Sequence, residues 1–172
     1  MAGKLKFVSS KPEETEKVAE SARAILKDNN LLALSTFEPK EKQPCSCIVY
    51  YAFDDEFVLY VWTGPKTLHG KNIEENSRVA LTVFDAKQSF DALKRGLQAF
   101  GSAAIVGDDE LEKAGSTYLK RFPGAQKFVN DPKGFHSPMF NDRLYRIELS
   151  KIKLLDEEAF GKEELRELEI IR

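Results

Sequence analysis

Cysteine, histidine and tryptophan are scarce in this chain of 172 residues: two, two and one respectively. Cys45 and Cys47 stand one residue apart, too close to staple distant segments, which excludes a disulfide framework and fits a reducing compartment. A metal centre would have to combine these two with His69 and His136. Their C-x-C spacing is shorter than the usual structural zinc pattern, and on a strand both thiols would share one face as ordinary side chains. Catalytic signatures are missing too. There is no G-x-S-x-G elbow, no phosphate-binding G-x-x-x-x-G-K-[ST] loop and no G-x-G-x-x-G turn. Neither sign of charge dominates: 26 basic residues face 28 acidic ones, and a broad nucleic-acid footprint is not expected. No apolar run approaches the ~20 residues of a membrane span, and the N-terminus MAGKLKFVSSKPEE lacks the apolar segment of a secretory signal. A cytoplasmic protein with neither membrane nor nucleic-acid partners is expected.

The remainder is ordinary globular composition, 42% apolar and 31% charged, with one domain expected over residues 1–172. Pro12 to Asn29 predicts a helix capped by Ser10, with an apolar stripe of Val18, Ala22, Ile25 and Leu26. Strands follow at Leu31–Phe37, Ser46–Phe53 and Glu56–Trp62, the last two joined by a tight turn at Asp54-Asp55. Further strands are predicted at Val79–Phe84, Leu97–Val106 and Arg143–Leu155, the last with a break at Ser150. The stretch Ala86–Leu97 reads as a loop with some helix. An acidic helix runs from Gly107 to about Arg121, a short one lies around Ala125–Asn130, and i,i+4 charge pairs predict a terminal helix over Lys162–Ile171. The expected fold is mostly β with flanking helices (α+β), a six-stranded antiparallel split barrel that leaves no long free edge.

The stretch Tyr60–Phe84 organises the chain. A strand stops at Thr63-Gly64-Pro65, where Gly64 is placed to cap a helix and Pro65 to begin it. A helix N-terminus carries partial positive charge and favours acidic neighbours. Here Lys66, His69 and Lys71 come first, and Glu74 and Glu75 come last. This reversed charge has two readings. The missing anion is a ligand such as a phosphate, met by free N–H groups, the Thr63 and Thr67 hydroxyls and the lysines. Alternatively the lysines are solvated and Lys71 pairs with Glu75. Gln98 on the fifth strand either needs buried partners or faces water at an edge. Gly101 in the same strand marks a bulge or a close approach. Trp62 could cover a flat ring or simply fill core.

Taken together these pieces resemble the pyridoxamine 5′-phosphate oxidase-like, FMN-binding split-barrel family. The parallels are Thr63, Thr67, His69 and Lys71, then Asn72-Ile73, then Asn76-Ser77-Arg78-Val79-Ala80-Leu81. Gly96-Leu97-Gln98-Ala99-Phe100-Gly101-Ser102-Ala103, the opening Asn30–Thr36 and the tail Phe160-Gly161-Lys162 extend the likeness over about residues 13–162. The resemblance implies FMN as cofactor, with Lys66, Thr67, His69, Gly70 and Lys71 at its phosphate and ribityl chain. Ser46, Cys47, Ile48 and Val49, with Val61, Trp62 and Thr63, would line the ring, and Gln98 would hydrogen-bond it. It also implies a homodimer with the cofactor between subunits, a small-molecule substrate and oxidoreductase chemistry. A non-catalytic split barrel holding haem or another flavin is the alternative. The tail LDEEAFGKEELRELEIIR lacks the Trp/Arg-rich segment of the oxidase itself, so vitamin B6 oxidation is disfavoured.

Overall fold

The computed structural model describes residues 5–172. Its elements are β1 (Lys6–Ser9), α1 (Thr15–Asp28), β2 (Leu31–Glu38), β3 (Gln43–Phe53), β4 (Val58–Thr63), α2 (Leu68–Glu75), β5 (Arg78–Phe84), β6 (Arg95–Ile105), α3 (Leu111–Arg121), β7 (Arg143–Asp156), α4 (Glu157–Phe160) and β8 (Leu165–Ile171). All strand pairs are antiparallel, in the order β1-β8-β7-β4-β3-β2-β5-β6, and a further β6–β7 pairing closes six of them into a ring.

Alternation builds that ring. On β2, Leu32, Leu34 and Thr36 point inward, and Leu31, Ala33 and Ser35 point out. The inward residues meet Leu59 and Val61 of β4, Leu81 and Val83 of β5, and Ile147 and Leu149 of β7 in one core. The apolar stripe of α1 joins it through Val18, Ala22, Ile25 and Leu26. Fully burying a side chain of this size is worth roughly 1.5–3 kcal/mol, which makes this core the main stabilising term. A second core lies outside the barrel. Val58 and Tyr60 of β4 turn away from the interior and are covered by Leu111, Ala114 and Tyr118 of α3 and by Phe135.

The split lies in β7. From Tyr145 to Asp156 it pairs with β6 on one edge. On the other edge Arg143–Glu148 pairs with β4, and Lys151–Leu155 pairs with β8. The register against β6 shifts at Phe100/Gly101, leaving Ser150 as the extra residue. The irregularity falls where the sequence predicts it, without ending the strand. Gly101 is required there, since a Cβ would sit 2.1 Å from the Glu148 carbonyl oxygen.

Four expectations are corrected. Lys162–Ile171 is not a helix: Leu165–Ile171 forms β8 against β7, and with β1 it brings the strand count to eight. Ala86–Leu97 holds bends and turns followed by β6, with no helix. The acidic helix starts at Leu111, after a turn. Ser10 does not cap the first helical turn, whose N-cap is Lys11.

Candidate functional site

The turn from β4 into α2 differs in detail from the sequence reading. Residues Gly64 to Thr67 form a turn before the helix, and Thr67, not Gly64, is the N-cap. The Thr67 hydroxyl donates to the Gly64 carbonyl at 2.6 Å and accepts the Gly70 N–H at 3.1 Å, satisfying one free donor of the first turn. Gly70 packs so closely on the turn that a Cβ would lie 2.6 Å from the Gly64 oxygen and 2.7 Å from the Pro65 oxygen. No acidic residue lies in the first turn of α2. Lys66 and Lys71 are exposed, and neither has an ion-pair partner among the described residues; the Lys71–Glu75 pair is not formed.

His69 lies one turn of chain beyond Thr63, and its Nε2 is 2.7 Å from the Thr63 hydroxyl. Burial pushes its pKa below the ordinary histidine value, so the ring is neutral at pH 7. The helix is held to the barrel by Asn72, a buried polar residue that the sequence reading left without a role. With its amide oriented to satisfy both ends, its oxygen accepts from the Thr36 hydroxyl at 3.0 Å and its nitrogen donates to Glu38 at 2.9 Å and to the Leu68 carbonyl at 3.2 Å. Asparagine is a poor residue for a helix interior, and that was the available signal.

The remaining candidates fall into separate places. Ser46 and Ile48 project from the outer face of β3, Ile48 with 72% of its surface exposed. Cys47 and Val49 alternate with them and turn inward against the barrel core, where burial raises the Cys47 thiol pKa. Val61 is fully enclosed in the same core. Trp62 points the other way, edge-on to Phe135 at 5.1 Å and Phe140 at 6.0 Å, and its indole N–H has no partner. Gln98 is exposed on the outer face, yet β6 is bonded on both sides, so it is neither buried nor on an edge.

Register relates these outer residues. Ile48, Ala33, Thr82 and Gln98 follow one another across β3, β2, β5 and β6. At 4.7–4.9 Å per strand, Gln98 is about 14 Å from Ile48 measured along the curved sheet. The structure therefore gathers Thr63, Lys66, Thr67, His69, Gly70 and Lys71 around one turn, presents Ser46 and Ile48 on the neighbouring outer face, and keeps Gln98 apart. The arrangement is a capped helix start with no acidic residue in its first turn, flanked by the exposed Lys66 and Lys71, beside an exposed sheet face.

A family model described as pyridoxamine 5'-phosphate oxidase matches residues 18–155. A UPF0306 protein of Serratia proteamaculans (strain 568) is 31% identical over 108 residues, 62% of this chain and 66% of that protein. Among solved structures, the heme binding protein from Mycobacterium smegmatis superposes with a TM-score of 0.68 at 17% identity, over 86% of this chain and 55% of that one. HutZ, the haem storage protein from Vibrio cholerae, gives 0.60 at 18% identity, over 76% and 88%. The chain thus spans about two thirds of the enterobacterial relative and just over half of the mycobacterial protein. At these identities the structural likenesses speak for the fold.

Proposed function

Since this chain belongs to the pyridoxamine 5'-phosphate oxidase family, as a branch apart from the oxidase itself, we propose that it is an FMN-binding, homodimeric flavoprotein with oxidoreductase chemistry on a small substrate. The observation that carries this reading is the α2 turn: a capped helix start with two cations that pair with no carboxylate among the described residues. Such a turn is suited to a phosphate dianion. Lys66 and Lys71 would supply charge, the free first-turn N–H groups would donate, and the Thr63–His69 pair would present a neutral hydrogen-bonding edge beside them. Gly70 keeps that turn compact.

Ser46 and Ile48 would meet the flat ring on the outer face of β3, Ile48 shielding it from water. FMN, when bound, supplies hydride or electron transfer that no side chain of this chain can. A ring about 10 Å long lying on Ile48 does not reach the same chain's Gln98 three strands away. A second copy, packed on the outer face, would bring its own Gln98 to that ring. The exposed Leu31, Ile48, Tyr50, Phe84 and Phe100 on this face suit such self-association. Cys47, Val49 and Val61 would act from behind, by shaping the strands rather than by contact.

The test is an FMN titration of the purified protein and of the Lys66→Ala/Lys71→Ala variant. The expected loss is tenfold or more, as for charge-assisted phosphate contacts of about 1.5–3 kcal/mol. Equal affinity in the two would remove the α2 turn from the cofactor site. Haem is the second reading, favoured by the His136 Nε2, which is buried without a partner. A Soret band in the purified protein, in place of a flavin band, would select it.

A further inference from the structure

A cavity of about 400 Å³ opens between one flank of α2 and the neighbouring ends of β6 and β7. None of the residues assigned to the subunit contact lines it. Of the proposed flavin ligands only Gly70, which has no side chain, borders it. Pro65, Ile73 and Ala103 make its wall apolar, and Glu74, Ser77 and Tyr145 give it polar groups. Tyr145 is 3% exposed, with its ring in the barrel core, yet its hydroxyl makes no hydrogen bond among the described residues. A buried phenol ordinarily has a partner. Unlike the Trp62 and His136 nitrogens, this hydroxyl is not sealed in, because the cavity lies against it. Burial raises its pKa, and the Glu74 charge is near enough to raise it further, so the phenol stays protonated at pH 7. Arg143 opposes that effect, but its guanidinium donates to the carbonyls of Phe140 and Asp142. Glu74 is the unbalanced charge of the cavity. It is exposed and has no cation partner among the described residues. It also stands in the last turn of α2, where no basic residue offsets the partial negative charge of the helix end. A free carboxylate, two hydroxyls and an apolar wall together specify a cation with an apolar body.

We propose that this cavity binds a primary alkylammonium ion, its charge on Glu74, a second N–H on the Tyr145 oxygen and its chain against Ile73 and Ala103. The assignment goes beyond the flavin reading and does not depend on it. Calorimetric titration of the purified protein at pH 7 with hexylamine, and with uncharged hexanol of nearly the same shape, tests it. Hexylamine binds one per chain, at least about tenfold tighter than hexanol, as a charge-assisted hydrogen bond requires. Glu74→Gln brings hexylamine down to the level of hexanol, and Glu74→Asp restores part of the difference. Tyr145→Phe weakens hexylamine severalfold while the melting temperature of the free protein is unchanged, because the hydroxyl it removes is bonded to nothing in the fold. Absence of hexylamine binding, equal affinity for the two compounds, or a preference that survives Glu74→Gln overturns the assignment. Flavin binding is read separately by absorbance, and hexylamine still binds the Lys66→Ala/Lys71→Ala variant, so failure of one reading leaves the other standing.

Discussion

At the scale of single residues, the α2 turn is defined by Gly70 and His69. A Cβ at position 70 would press on two backbone oxygens that cannot yield without moving the turn. Gly70→Ala is expected to cost about 1–3 kcal/mol, seen as a lower melting temperature, and to weaken FMN binding with it. His69 and His136 both titrate below the ordinary value because burial disfavours their charged forms. The folded state therefore prefers them neutral. Their contribution is fully present above the unfolded value of about 6.5 and is lost as pH falls through the lowered folded values. Urea midpoints should drop between pH 7.5 and 5.5 beyond what carboxylates explain, and His69→Gln should flatten part of that drop; an unaltered slope would assign the effect elsewhere. Much of this turn is legible in the sequence, because the reversed charge of Lys66, Lys71, Glu74 and Glu75 is a local signal. The identity of the cap was not, since Gly64 and Thr67 are both good capping residues and only the chain's path decides between them.

At the scale of elements, β8 shows why a strand can read as a helix. Its inward positions are Arg166, Leu168 and Ile170, and the arginine breaks the apolar alternation. Arg166 is accommodated because Glu14 at 2.6 Å and Glu164 at 2.8 Å take its charge and its guanidinium stacks 5.0 Å from the Phe160 ring. Glu14 stands 152 residues away in the chain, so no local window of sequence could reveal that partner. Asp156 does similar work at the end of β7. It is buried, which by itself disfavours its charge, but the Ser21 hydroxyl at 2.6 Å, the Ala159 N–H and Arg95 hold its carboxyl below the usual range. It ties α1 and β6 to α4. Asp156→Ala should cost about 2 kcal/mol in urea unfolding at pH 7, from lost charged hydrogen bonds and an orphaned Ser21. That deficit should shrink as pH falls through the lowered pKa, because the protonated wild type loses the same stabilisation.

At the scale of the whole molecule, the six-stranded ring was legible and the β1–β8 ribbon was not. Ring strands such as Leu31–Glu38 and Arg78–Phe84 alternate cleanly, because one face meets a closed core and the other meets solvent. The outer face is where the proposed assembly is tested. Ile48→Glu should shift sedimentation from dimer to monomer and abolish FMN retention together; loss of one without the other would separate the cofactor site from the subunit contact. Among the described residues no helix is long and apolar enough to cross a membrane. The ribbon itself has a kinetic meaning. Lys6–Ser9 pairs with Leu168–Ile171, so its hydrogen bonds join residues separated by almost the entire chain. Closing so long a loop is entropically unfavourable until the intervening barrel has brought the two segments near each other. The ribbon should therefore zip last on the folding pathway and open first, with the amides of β1 exchanging with deuterium well before those of β7, and a newly made chain should hold its closed ring before its two distant segments meet.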